Sequence, residues 1–306
     1  MAQKVSVIIP NYNGRQILGK NIPSVLANCP GCEVIVVDDG SLDDSVQFLK
    51  TVKGIKLVTQ EKNRGFAATV NNGVKRASGD LVLLLNSDVS PLTGFLQPLV
   101  EHFKGNDKLF AVAAADISYE AGGKKIKGRG GASISKGLFS HYALPPIAAQ
   151  TLWVSGGSGL FDRKKFLALG GFDISYAPFY WEDIDLSYRA RKAGYFCLFE
   201  PKSKVNHYHD QGAIKSSKSE SYIKAISYKN QFVFFWKNIS DFQYNIAHLI
   251  YLPYHMAIAL AKADWPFFRG FFKAALQIPS IILDYQQEFP KTETSDREIL
   301  KHFEKQ

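Results

Sequence analysis

Leu81-Val82-Leu83-Leu84-Leu85-Asn86-Ser87-Asp88 is a run of five apolar residues that ends in three polar ones. A short continuous apolar run reads as a strand buried on both faces. The same form recurs upstream. Val5-Ser6-Val7-Ile8-Ile9-Pro10 runs into Asn11 and Tyr12, Glu33-Val34-Ile35-Val36-Val37 into Asp38-Asp39-Gly40-Ser41, and Ile55 to Thr59 is a further strand. Helical spacing fills the gaps, over Arg15 to Asn28, Asp43 to Lys50 and Gly65 to Ser78. Buried strands alternating with helices predict an α/β fold, a mostly parallel central sheet with flanking helices. Open sheets of this kind bind ligands at the carboxyl ends of their strands. Asn11, Tyr12, Asp38, Asp39 and Asp88 all follow strands, so they should gather along one edge.

Further on, Phe95 to Phe103 predicts a helix and Leu109 to Ala115 a strand. Gly122 to Gly137, rich in Gly, Lys and Ser, reads as a loop. In Trp153-Val154-Ser155-Gly156-Gly157-Ser158-Gly159-Leu160-Phe161 the glycines let backbone pass close to a ligand or another strand. Asp183 to Ala193 reads as a helix ended by Gly194, and Tyr195 to Phe199 as a last strand. This division expects one domain over 1–218 and a helical region over 219–306. In the latter, Tyr228 to Trp236, Ile246 to Leu260 and Pro266 to Leu283 are the expected helices. Phe267-Phe268-Arg269-Gly270-Phe271-Phe272-Lys273 mixes aromatic and basic residues. That fits an amphipathic helix on a membrane surface; packing against the rest of the chain or a second subunit fits equally well.

The chain has 306 residues, 46% hydrophobic, enough for a sizeable core. Its 37 Lys and Arg against 28 Asp and Glu give a formal charge of +9, which favours an anionic partner. The basic residues Lys124, Lys125, Lys127 and Arg129 lack interleaved aromatics, which argues against nucleic acid. Cys29 and Cys32 have CxxC spacing around Pro30-Gly31, but no second pair follows; with Cys197 they read as ordinary thiols of a reducing cytoplasm. Neither a signal peptide nor a transmembrane run of about 18 apolar residues is expected.

The densest chemistry is Trp181-Glu182-Asp183-Ile184-Asp185-Leu186, with three carboxylates in four residues after the aromatic run Tyr176 to Tyr180. Crowded, partly buried carboxylates acquire raised pKa values, which suits a general base. Acids complementing a helix N-terminus would look the same. Asp38 and Asp39 are either helix caps or hydrogen-bonding partners for a base or ribose, on which Tyr12 could stack. Asn63-Arg64-Gly65 precedes a helix, where amides and Arg64 can meet a phosphate. Neither a GxxxxGK[ST] loop nor a GxGxxG fingerprint is present, which counts against kinases and nicotinamide dehydrogenases. Asp88 could anchor a hard cation with Asn86 beside it, and His207 or His209 could complete the set.

Together these segments resemble the family 2 inverting glycosyltransferases of GT-A fold, in particular the branch with rhamnosyltransferases and galactofuranosyltransferases. The likeness covers roughly residues 4 to 212. It rests on Val7 to Asn13, Val36 to Ser41, Asn63 to Phe66, Leu85 to Asp88, Gly156 to Phe161, Gly170 to Asp173, Trp181 to Leu186 and His207. The resemblance implies a UDP- or dTDP-sugar donor, a glycan or lipid-linked acceptor, and a divalent cation, Mg²⁺ or Mn²⁺, on the diphosphate. Asn86-Ser87-Asp88 stands where the family has Asp-x-Asp, with Asn first as is usual in this branch. The implied metal ligands are Asp88 and His207. Asp183 takes the place of the catalytic base, with Glu182 beside it. Pro10, Asn11, Tyr12, Asp38, Asp39, Asn63, Arg64, Gly65, Asn86, Ser87, Gly156, Gly157 and Trp181 are the implied nucleotide-sugar contacts. The implied setting is the cytoplasm, peripherally at the inner face of the membrane, with the helical tail meeting lipid or a second copy in a homo-oligomer. The alternative is a catalytically silent nucleotide-sugar-binding scaffold of a polysaccharide assembly complex. A nucleotidyltransferase would need a basic Gly-rich loop where Asn11 to Arg15 stands.

Overall fold

The computed structural model describes residues 3–120, 123–207, 219–287 and 293–304. Strands β1 (Val5–Asn11), β2 (Glu33–Asp38), β3 (Lys56–Thr59) and β4 (Leu81–Leu85) alternate with helices α1 (Arg15–Asn28), α2 (Ser45–Thr51) and α3 (Phe66–Arg76). All four strands are parallel, in the order β4-β1-β2-β3. Their apolar runs are continuous because both faces are covered. Val7, Ile9, Leu81, Leu83 and Leu85 pack on one side with α1, while Ile8, Val82 and Leu84 pack on the other with α3. Gly73 brings α3 against β1: a Cβ there would lie 2.5 Å from the Ile8 side chain.

Next come β5 (Val89–Pro91), α4 (Leu96–Glu101), β6 (Leu109–Glu120), β7 (Gly123–Lys127), β8 (Gly130–Ser135), β9 (Leu138–Ala143), β10 (Ala149–Thr151), β11 (Ser158–Asp162), α5 (Arg163–Ala168), α6 (Glu182–Lys192) and β12 (Phe196–His207). β11 enters antiparallel between β4 and β6, and β12 lies parallel to β6, giving the order β10-β12-β6-β11-β4-β1-β2-β3. β7 extends β6, β5 extends β12, and β8 with β9 forms a separate ribbon. The whole is an α/β fold with a mostly parallel central sheet and C-terminal helices, the architecture that the resemblance implies. The segment read as a loop over 122–137 instead carries β7 and β8. β7 is fully exposed on the sheet edge, so no buried face marked it as a strand. The last strand runs to His207 rather than Phe199, past a register shift between Glu200 and Lys204 that hides its period.

The C-terminal helices are α7 (Glu220–Asn238), α8 (Phe242–Ala261), α9 (Trp265–Ala275), α10 (Ile278–Gln287) and α11 (Asp296–Lys301). The helix expected over 266–283 is thus two, broken around Gln277. They share one core with the first part of the chain: Phe232, Phe234 and Phe235 of α7 pack with Phe139 of β9 and with Trp181, Ile184 and Tyr188. Asp185 pins this junction. Its side chain is fully buried and accepts hydrogen bonds from the Tyr176 hydroxyl (2.9 Å), Asn238 Nδ2 (2.8 Å) and Arg189 Nε (2.8 Å). Removing one member of a buried ion pair leaves the other uncompensated. Asp185→Ala should therefore destabilise the protein by about 3–5 kcal/mol in denaturant unfolding; a loss below about 1 kcal/mol would show that Arg189 is satisfied by the Leu169 and Gly171 carbonyls it also meets.

Candidate active site

The strand ends align as the parallel register requires, with Asn11 opposite Asp38. Asp38 is buried and fully used: Asn11 Nδ2 donates to it at 2.8 Å, Ser41 N–H at 2.9 Å and Ser41 Oγ at 2.6 Å. Asn11 Oδ1 is buried with no hydrogen-bond partner among the described residues. Asp39 binds the entry to α3, accepting from the Arg64 and Gly65 amides at 2.7 and 2.9 Å and from Gln60 Nε2 at 2.7 Å. Burial and the neighbouring Asp38 charge raise its pKa against the pull of those amides. Asn63 Oδ1 also accepts from Gly65 N–H. Pro10 is half-buried in β1, whereas Tyr12 and the Arg64 side chain are exposed. Asp38 and Asp39 thus build this edge of the sheet, while Tyr12 and Arg64 stand free on it.

Asn86, Ser87 and Asp88 turn out of β4. Asn21 of α1, absent from the sequence reading, is buried and holds the turn by donating to the Ser87 carbonyl at 2.8 Å. Asp88 leads into β5, and β5 pairs with the end of β12 so that Val89 lies opposite His207. That pairing carries His207 Nε2 to 3.3 Å from Asp88 Oδ1. The other ring nitrogen, Nδ1, lies 2.6 Å from Asp116 Oδ2, and Ser118 Oγ donates to Asp116 Oδ1 at 2.9 Å. Burial lowers the His207 pKa, but the two carboxylates outweigh it and raise it to about 9. Asp116 also escaped the sequence reading; an Asp inside an apolar strand was its signal. His209 lies outside the described residues.

This donor set fits a divalent cation. An imidazole whose far nitrogen is held by a carboxylate turns its near nitrogen toward the ligand position, the usual second shell of a metal-binding histidine. Asp88 adds a hard oxygen beside it. Among the described residues no group of three or more His, Cys, Asp or Glu is arranged to hold a metal. Two protein ligands leave coordination positions to water and phosphate, as is common for Mg²⁺.

Asp183 stands in the first turn of α6. Its carboxylate accepts from Ile184 N–H at 2.8 Å, and the nearby Gly156 amide lowers its pKa against the effect of burial. The adjacent Gly157 carbonyl accepts from Asn86 N–H at 3.0 Å, and a Cβ on Gly157 would strike the Asn86 side chain at 2.7 Å. The 155–157 turn therefore ties the head of α6 to the end of β4. Tyr180 and Trp181 reach α6 with φ of 69° and 78°, two successive side-chain-bearing residues in the left-handed region, a conformation that costs energy and clusters at functional sites. What holds it is the Trp181 ring, 4% exposed and packed against Phe139, His141 and Phe234. The indole expected at the donor is thus turned into the core, and it acts through the backbone it anchors. Glu182 is buried beside Asp183. Burial foremost, and for Glu182 also the Asp183 charge, raise both carboxylates above the ordinary range.

The fold and this site together define a class of α/β proteins with a polar sheet edge faced by a carboxylate-headed helix. Residues 6–166 match Glycosyl transferase family 2, more than half of the chain, and the chain belongs to this family. It is 30% identical over 208 residues to a pre-mycofactocin glycosyltransferase of Mycobacterium tuberculosis, covering 67% of this chain and 43% of that one. It is 26% identical over 211 residues to the poly-beta-1,6-N-acetyl-D-glucosamine synthase of Staphylococcus epidermidis, covering 65% and 48%. The chain thus spans under half the length of these relatives. In structure it is similar to GalNAc-T7 solved with UDP, GalNAc and Mn²⁺ (TM-score 0.66, 19% identity, 91% of this chain and 58% of that one). It is also similar to the mannosyltransferase PcManGT from Pyrobaculum calidifontis, solved with GDP-Man and Mn²⁺ (TM-score 0.53, 16% identity, 92% and 76%). These likenesses show the fold.

The raised Glu182 pKa sets a stability test. A carboxyl whose folded pKa lies above its unfolded one keeps a proton that the unfolded chain gives up. Stability then falls as pH rises from the unfolded value, about 4.3, through the folded one. Glu182→Gln cannot ionise, so its melting temperature relative to wild type should be higher at pH 8 than at pH 5; an equal difference at both would show that ionising Glu182 carries no penalty.

Proposed function

We propose that this chain transfers a sugar from a nucleotide-diphosphate donor to an acceptor hydroxyl with inversion, using Asp183 as the general base. The observation that carries this most is the 155–157 turn. It turns the Gly156 amide toward the Asp183 carboxylate, whose pKa that amide lowers, and holds the end of β4 through the Gly157 carbonyl, which accepts from Asn86 N–H at 3.0 Å. The donor would lie along that edge, its nucleotide near Tyr12 and Asn11, with Pro10, Asp38, Asp39 and Asn63 shaping the floor and Arg64 and the Gly65 amide on phosphate. Asn86, Ser87, Gly156 and Gly157 would pass beneath the sugar. Asp88 and His207 would hold Mg²⁺ or Mn²⁺, with Asp116 fixing the His207 ring. Such a cation, once bound, offsets charge developing on the departing diphosphate.

Asp183 takes the proton of the acceptor hydroxyl as its oxygen attacks the anomeric carbon from the face opposite the diphosphate. Its raised pKa brings it nearer the operating pH, where a base is most effective. Glu182 adds negative field, which favours the proton on the pair. Asn86 in first position and His207 support a place in the rhamnosyl- and galactofuranosyltransferase branch. The acceptor in this reading is a glycan or a lipid-linked sugar, the latter met at the inner face of the cytoplasmic membrane. The alternative, a silent nucleotide-sugar scaffold, has less to recommend it while Asp88, Asp183 and His207 are all present.

Asp183→Asn should lower kcat by roughly 10²–10⁴-fold and leave donor affinity, read by calorimetry, unchanged. The wild-type rate should fall on acidification with a midpoint above the ordinary Asp value of about 3.9. A variant that turns over normally with saturating donor would remove Asp183 from the chemistry. His207→Ala and Asp116→Asn should each weaken Mn²⁺-dependent donor binding, Asp116→Asn by about 10–100-fold. The readout is the rise in melting temperature that a native-state ligand brings. Equal shifts in wild type and both variants would exclude a metal at this place.

A further inference from the structure

Among the described residues, three of the C-terminal helices, α8, α9 and α10, turn large apolar side chains outward. α8 is twenty residues long and holds no Asp, Glu, Lys or Arg, yet of its residues only His248 and Ala259 are buried. A soluble surface helix turns its apolar stripe inward and its polar residues outward. α9 does bury a stripe, Phe267, Gly270 and Ala274, and Gly270 meets α7 so closely that a Cβ would lie 2.5 Å from Tyr228 Cβ. Its exposed side mixes Trp265 and Phe272 with Arg269 and Lys273, and it continues the apolar surface of α8. Leu249, Ile250, Leu260, Trp265, Phe272 and Leu276 are between 57% and 82% exposed. Ile278, Ile282 and Leu283 continue the surface along α10. Between α8 and α9 lies a groove of about 580 Å³, lined by Met256, Leu260, Trp265, Phe268 and Phe272 with Arg269 as its one charged residue.

Among the described residues, the exposed charges at the margin of this face are basic. Lys262, Arg269 and Lys273 are exposed at its margin. The nearby acid Asp264 is already taken by Lys224 Nζ at 2.8 Å and the Tyr228 hydroxyl at 2.9 Å. Among the described residues no helix is long and apolar enough to cross a membrane. An apolar face with a basic margin, on helices that cannot span, lies in the plane of an anionic bilayer.

We propose that the outward face of α8, α9 and α10 docks the protein on an anionic lipid surface. Leu249, Leu260, Trp265 and Phe272 enter the acyl boundary, and Lys262, Arg269 and Lys273 meet headgroup phosphates. The contact needs neither donor nor turnover, so it stands or falls apart from the proposed transfer.

The test is flotation of the full chain with vesicles of phosphatidylcholine alone and with added phosphatidylglycerol, at low and high salt. The expected result is flotation with the phosphatidylglycerol vesicles, weakened by salt and on phosphatidylcholine alone. Arg269→Glu should lower vesicle affinity by about tenfold or more, since it reverses one surface charge. Leu260→Glu with Phe272→Glu should abolish flotation, and Leu260→Ser with Phe272→Ser should weaken it, both pairs keeping the wild-type melting temperature. Full-length protein that stays unbound to the phosphatidylglycerol vesicles would overturn the proposal. So would light scattering that finds a dimer, split into monomers by the glutamate pair, with no vesicle binding: the face would then belong to a second copy of the chain.

Discussion

A carboxylate taken wholly out of water must be matched, and Asp185 is matched from three directions. Tyr176 lies before α6, Arg189 one turn along it, and Asn238 at the end of α7. This cluster fixes how the C-terminal helices sit on the sheet domain. It also fixes the head of α6, where Trp181 and Tyr180 are kept in left-handed backbone. Asp183, two residues from Asp185, thereby faces the 155–157 turn. A catalytic carboxylate needs its own desolvation and a free face; a structural one needs every oxygen filled. In the proposed mechanism the two kinds stand two residues apart, and only their partners tell them apart.

The other half of the candidate site depends on strand pairing. Asp88 and His207 are 119 residues apart, yet the short β5–β12 ladder sets them side by side. Asp116 joins them because β6 runs parallel to β12 with Ser118 opposite His207. Two strands would therefore supply both the proposed ligand, His207, and the group that orients it. A site held by sheet register is stiffer than one held by loops, which suits a role that tolerates little displacement.

Much of this was legible in the residues. Apolar runs that stop at Asn11, Asp38 and Asn86 announced four parallel strands and the edge where they end, because strands covered on both sides need no alternation. The family motifs name Asp183 and His207 as candidates from the residues alone. What escaped reading was set by contacts distant in sequence. Asp116 is the first polar residue after an alanine-rich run, and its meaning comes from His207, 91 residues away. β7 carried no hydrophobic signal because its whole length is exposed. Trp181 looked like a cleft wall since aromatic residues beside carboxylates so often are; only the ribbon of β8 and β9, with Phe139 and His141, shows that its ring faces inward.

The late insertion of β11 has a consequence for how the chain is made. β4 and β6 are both in place by residue 120, but the strand that joins them is Ser158–Asp162. Until it emerges from the ribosome, the apolar strands β4 and β6 present unpaired edges, the kind of surface on which nascent chains associate wrongly. Closing a ladder across such a separation is slow compared with forming local hairpins. The parallel part, β4-β1-β2-β3, should therefore assemble first and keep an open edge at β4 until β11 emerges, with β12 completing the far side of β6 only afterwards.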